Sequence, residues 1–219
     1  MRAPEGGPPS PPQVRLAPLP PPVYFSRPVA TLPVRTSAPA LIVLGRGIMA
    51  ARDDLVAKWS RFLSARQAGG LALGAPATER LLRLIVDLLA HMAGPLRRET
   101  SDTWFAATEL YGRLAAVRGL SAGEVVEEIQ YLRELLTRDL ADLFVALPAR
   151  QQLPTVLRIN RVLDRGVANA VVGYTDALVA TMFSKEGVPV PTTDHVQELL
   201  AQLDGIEGEL KLLDERSAG

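Results

Sequence analysis

The chain has 219 residues, enough for one domain of about 150 residues plus appendages, and 47% of them are apolar, which is material for a real core. Its 24 basic and 24 acidic side chains cancel, which argues against a general nucleic-acid binder because no basic field draws phosphates in. Cysteine is absent, and this excludes disulfides, thiolate metal sites and cysteine nucleophiles.

Arginine outnumbers lysine 21 to 3. So general a bias reads as the base-composition habit of a GC-rich bacterial genome rather than as selection for bidentate pairing. No stretch reaches the roughly 18 to 20 apolar residues needed to span a bilayer. Prolines from Pro4 onward interrupt any charged-then-apolar layout of a signal peptide. The expectation is a cytoplasmic protein, with a peripheral place on a membrane complex as the variant.

Residues 1–48 read as an extended, proline-rich N-terminal tail. Twelve of the 18 prolines fall in the first 40 residues. Proline lacks an amide donor and fixes φ, so such a segment favours polyproline II and turns over helix or central strand. Its charge is skewed: Arg2, Arg15, Arg27 and Arg35 face only Glu5. Apolar residues recur between the prolines, where a solvated linker would use Ser, Gly, Glu and Lys. Two readings fit, a free leader and a strap laid against a partner. For the strap, the contact residues are Val23, Tyr24, Phe25, Arg27 and Arg35, because aromatic and arginine side chains supply most interface energy per residue.

Residues 49–186 read as a bundle of helices. The first is expected over 51–67, with Leu55, Val56, Trp59, Phe62 and Leu63 on one face. The second follows Pro76, a good first-turn residue, and stops at Gly94-Pro95. A third spans 101–118, with Trp104, Phe105, Leu110, Tyr111, Leu114 and Val117 facing in; Gly119 then sits where a left-handed residue ends a helix. Ser121 and Glu124 form a capping-box pattern that opens the fourth, which ends by Pro148 and carries Val125, Ile129, Leu132, Leu136 and Leu140. A fifth is expected from Pro154 to Phe183, buried along Leu157, Val162, Leu163, Val167, Val171, Tyr174, Leu178 and Met182. Gly166 and Gly173 inside it each weaken the helix by about 1 kcal/mol relative to Ala, and close helix–helix packing is the preferred reason for them. Residues 187–219 are a linker and a last amphipathic helix, capped by Thr193. Its apolar positions Val196, Leu199, Leu203, Ile206, Leu210 and Leu213 step by three and four, a heptad seam. So short a seam either dimerises alongside other contacts or packs back on the bundle.

Trp59, the run YGRLAAVRGLSAGEVVEEIQYLRELL at 111–136 and LDRGVANAVVGYTDAL at 163–178 resemble the N-terminal domain of RsbRD-type proteins. These are co-antagonists of the RsbT kinase and input domains of some bacterial sensor kinases. The most specific parts are the Arg-Gly-Leu turn at 118–120, the triplet Tyr131-Leu132-Arg133, and Tyr174. The resemblance covers about 52–183. It implies a globin-like bundle of about five to six helices that binds no haem, dimerises, and leads through a connector helix to an output domain. The chain departs from that pattern by ending at Gly219 without a phosphoacceptor domain or kinase.

The residues offer no reactive constellation. His91, near the end of the second helix, reads as a partly buried or capping histidine, and His195 as a solvated first-turn residue. Two histidines and no cysteines make a poor case for haem or zinc, so no cofactor is expected. Asp53-Asp54 suits a helix start. Neighbours on a helix point about 100° apart, so neither pair forms a shared acid–base site; Glu127-Glu128 with Arg133, Glu134 and Arg138 reads as a solvated, ion-paired face. Gly45-Arg46-Gly47 lacks the strand, helix start and lysine of a phosphate loop. The hydroxyls of Tyr111, Tyr131 and Tyr174 are expected on backbone carbonyls at the bundle edge, with a small-ligand pocket as the functional alternative. Trp59 and Trp104 read as core anchors.

Three functional readings follow. The first is a non-catalytic interaction subunit, docked on a larger assembly by its tail and helical body. The second is a sensory or stress regulator, a homodimer acting on a kinase in trans. The third is an accessory subunit of a bacterial membrane complex, such as a photosynthetic or respiratory assembly, and rests on the long, amphiphilic tail and the apolar segment 38–45.

Overall fold

The computed structural model describes residues 36–66, 75–95, 98–183 and 193–218. Seven helices account for them: α1 (Ala38–Arg66), α2 (Ala75–Ala93), α3 (Ser101–Val117), α4 (Ala122–Asp139), α5 (Ala141–Ala146), α6 (Ala149–Phe183) and α7 (Thr193–Ala218). No strand occurs among the described residues. The chain is an all-α bundle. None of these helices is long and apolar enough to cross a membrane.

The local signals explain most boundaries. Glu124 N donates to Ser121 Oγ, and the Glu124 carboxylate accepts from Ser121 N at 2.7 Å, so both halves of the capping box are made. The Glu124 carboxyl is held below its ordinary pKa, first by the Ser121 amide and then by its hydroxyl. Gly119 takes a φ of 75°, a conformation that glycine adopts without strain, and turns the chain from α3 into α4. At the end of α2, Arg158 of α6 donates to the carbonyls of Ala93, Gly94 and Met92, two of them at 2.7 Å. A cation thereby meets the negative end of that helix.

Several expectations are corrected. α1 begins at Ala38, so the tail-to-bundle boundary at 48 falls inside a helix. Pro39 lies in the first turn, where its missing amide costs nothing. Gly45 and Gly47 do not break the helix but let neighbours approach: a Cβ on Gly45 would sit 3.2 Å from the Ala90 carbonyl oxygen, and one on Gly47 would strike Leu143. Ala40, Leu44 and Ile48 join the core. Asp53 and Asp54 therefore lie in mid-helix, paired with Arg83 and Lys58. The fourth helix divides at Leu140 into α4 and the short α5. α6 starts at Ala149 and carries Pro154 inside it.

The core runs through all the long helices, with Leu44, Trp59, Leu88, Trp104, Leu132 and Leu163 closed off from solvent. α3 and α6 form the most extensive pair. Glycine makes their contact possible: a Cβ on Gly112 would fall 1.8 Å from Ala170 O, and one on Gly173 would fall 2.1 Å from Glu109 O. A buried polar link, Asn169 Nδ2 to Thr108 Oγ1 at 3.2 Å, joins the same two helices.

Candidate functional site

The second half of α6 presents an apolar stripe to the outside. Ala168, Val172, Thr175, Val179 and Met182 are all exposed. They follow one another by four, three, four and three, which puts them on one line about 21 Å long. Val172 is 54% and Met182 80% exposed. Leu178 flanks the line and is also exposed, as is Phe105 of α3. Leu178, Met182 and Phe105 were expected inside. Gly166, Ala170 and Gly173 take inward positions, because α3 approaches α6 so closely that only small residues fit between them, and Tyr174 is buried as expected.

The heptad seam of α7 has the opposite fate. Leu199, Leu203, Ile206 and Leu210 are buried, and Leu213 is half-buried. Their partners are α3 and α2 of the same chain. The side chain of Val196 lies outside the described residues, as do those of Val23, Tyr24, Phe25, Arg27 and Arg35. Polar contacts rim the α7 seam. Arg80 reaches Glu207 and Asp204, both at 2.6 Å, and these two carboxylates hold its guanidinium above its ordinary pKa. His91 Nε2 lies 2.9 Å from Asp214, while its Nδ1 lies 2.8 Å from Asp87 O. Thr103 donates to Glu209, and Arg113 donates to Gln202. Of the two outcomes open to this seam, packing back on the bundle is the one seen.

Sequence reasoning missed a buried charged node. Glu128 is 1% exposed rather than on a solvated face. Its carboxylate accepts from Tyr111 Oη at 2.5 Å and from both terminal nitrogens of Arg118, at 3.0 and 3.2 Å. Its backbone carbonyl accepts from Trp59 Nε1 at 3.0 Å. The Trp59 and Tyr111 rings lie 5.6 Å apart. Three helices, α1, α3 and α4, thus meet on one residue, Glu128. Burial, and next the Glu128 charge, pushes the Tyr111 hydroxyl well above its usual pKa. A signal was available: position 128 is three past Val125 and four before Leu132, on the buried stripe. Glu127, by contrast, is exposed and pairs with Arg66.

The enclosed cavity beside the node, among Trp59, Trp104, Thr108, Tyr111, Leu163 and Gly166, measures about 10 Å³, close to the space of one water. No group of three or more His, Asp or Glu suited to a metal occurs among the described residues. Geometrically the node is a clamp. Removing one partner of such a buried pair typically costs about 3–5 kcal/mol, whereas replacing the pair by apolar side chains is often neutral.

Comparison of the chain with protein-family models, with curated proteins and with solved structures found no match.

Proposed function

We propose that this protein is a non-catalytic interaction subunit whose helical body docks another helix along the outward face of α6. The observation that carries the reading is the exposed line Ala168, Val172, Thr175, Val179 and Met182. Exposed apolar side chains that share one line on a water-facing surface are candidates for a contact site. Heptad-like spacing suits a partner helix, which buries every third and fourth residue. The first partner to consider is a second copy of the chain, α6 against α6. A single short stripe with no further contact suits a weak, reversible self-association, with micromolar dissociation as the range to test. The globin-like arrangement and the tail as a second docking element, through Val23, Tyr24, Phe25, Arg27 and Arg35, belong to the same proposal.

Sedimentation of the full chain from about 1 to 100 µM tests it, since a micromolar equilibrium crosses that window. A monomer throughout, together with no partner whose binding depends on Val172 or Val179, removes the reading.

A second reading, a sensory regulator resembling the RsbRD-type N-terminal module, draws support from one observation. Trp59, Tyr111, Arg118 and Glu128, all inside the resembling segments, converge on the clamp. In this reading α7 acts on a kinase in trans, so Leu203→Pro abolishes output, and normal signalling by that variant counts against it. A third reading, an accessory subunit of a bacterial membrane complex, draws on the apolar segment 38–45, which forms the first turns of α1 with Ala40 and Leu44 buried and Ile42 and Val43 exposed.

A further inference from the structure

Away from α6, the C-terminal part of α1 and the middle of α4 enclose an open groove of about 550 Å³, lined among others by Phe62, Arg66, Glu127, Gln130, Tyr131 and Glu134. Phe62 and Tyr131 stack along one wall, their centroids 3.9 Å apart and their planes 12° from parallel. The protein places one of its own cations on this wall. The Arg66 guanidinium lies 5.2 Å from the Phe62 centroid and pairs with Glu127. A ring one turn earlier on α1 and a carboxylate on the facing α4 thus hold a guanidinium, the ring by its quadrupole and the carboxylate by charge.

The same groove holds a second combination of this kind. Tyr131 and Glu134 stand three apart on α4, and i,i+3 residues are neighbours on a helix surface. Glu134 is exposed and makes no ion pair among the described residues, and Tyr131 Oη makes no hydrogen bond there. The nearest arginines in sequence are turned elsewhere, Arg133 to Asp164 and Arg138 to Asp139.

We infer that this groove takes an arginine side chain from a partner's peptide segment, stacked by Tyr131 and paired with Glu134 as Arg66 is with Phe62 and Glu127. A guanidinium fits better than an ammonium, because it is planar, stacks on a ring and forms a two-pronged pair with a carboxylate. The groove is lined by residues of α1 and α4 and by none of the exposed α6 line.

The test is fluorescence anisotropy with a labelled, end-blocked heptapeptide carrying two arginines, titrated with the full-length protein at low ionic strength. A second peptide carries citrulline in place of arginine, the same shape without the charge. Saturable binding of the arginine peptide is expected, about fivefold or more weaker for the citrulline peptide, for Glu134→Gln and for Tyr131→Leu. Glu134→Gln is the decisive variant, because an exposed side chain can be changed without unfolding α4. Val172→Asp, which disrupts only the α6 face, leaves peptide affinity unchanged. Equal binding of the two peptides, equal binding by native protein and Glu134→Gln, or no binding at about 1 mM protein sites overturns the inference.

Discussion

Helices α6 and α7 both carry apolar residues at alternating steps of three and four, but they spend them differently. On α7 the seam Leu199, Leu203, Ile206 and Leu210 is covered by α2 and α3 of the same chain. On α6 the line Val172, Val179 and Met182 faces outward. Sequence alone leaves α7 two outcomes, a dimer seam or packing back on the bundle. The structure gives its seam an intramolecular partner and leaves α6 with the unpartnered surface. The lesson is that heptad spacing tells which residues share a line and not what covers that line.

The glycines of the two helices sharpen the contrast. Gly166 and Gly173 of α6 are packed so closely that a Cβ would collide with Trp104 and with the Glu109 backbone. Gly205 and Gly208 of α7 meet nothing within 4 Å. On α6, glycine permits a contact. On α7 it weakens the helix with no packing return inside this chain, so α7 relies on docking for its order.

The comparison can be broken in several ways. The largest effect is expected from Leu203→Asp. An unpaired charge beneath α7 costs about 3–5 kcal/mol, and hydrogen exchange should then lose protection across 193–218 first. Val172→Asp on α6 should change stability by no more than about 0.5 kcal/mol, as surface substitutions do, while weakening self-association. If both variants unfold the protein equally, the two stripes are not different in kind.

Next in size, Glu128→Ala tests the clamp beneath both helices. It leaves Arg118 buried and unpaired, at an expected loss of about 3 kcal/mol in urea unfolding. The pH dependence has a definite sign. The folded-state pKa of Tyr111 lies above its unfolded value, so this contribution is fully present below about pH 10 and is lost as pH rises past it. Tyr111→Phe should therefore flatten the alkaline fall in stability. An unchanged alkaline profile in that variant would remove Tyr111 as its source.

Smaller still, Gly205→Ala and Gly208→Ala should each stabilise the protein by about 0.5–1 kcal/mol, read as a rise in melting temperature. Arg80→Ala should loosen α7 by about 0.5 kcal/mol, with the difference shrinking in high salt, because the Arg80 pairs are exposed at the rim.

Much of the bundle was legible before any coordinates. Pro76, Gly94-Pro95, Gly119 and the Ser121–Glu124 box marked helix ends through backbone chemistry that acts locally. What escaped depended on distant partners. The start of α1 at Ala38 was missed because the packing that holds Gly45 and Gly47, against Ala90 and Leu143, comes from far away in sequence. Glu128 looked solvated because its neighbour Glu127 is, while its partners Tyr111 and Arg118 lie across the turn at Gly119. α6 carries apolar residues on two faces, and periodicity could not choose between them. The choice was made by α3, whose Gly112 presses on Ala170.

The most direct test of an outward docking face on α6 is sedimentation equilibrium of the native chain beside the triple variant Val172→Asp, Val179→Asp, Met182→Asp. The expected result is a reversible native dimer and a variant that stays monomeric with unaltered helical circular dichroism and melting temperature. A variant that dimerises as well as the native chain would contradict it.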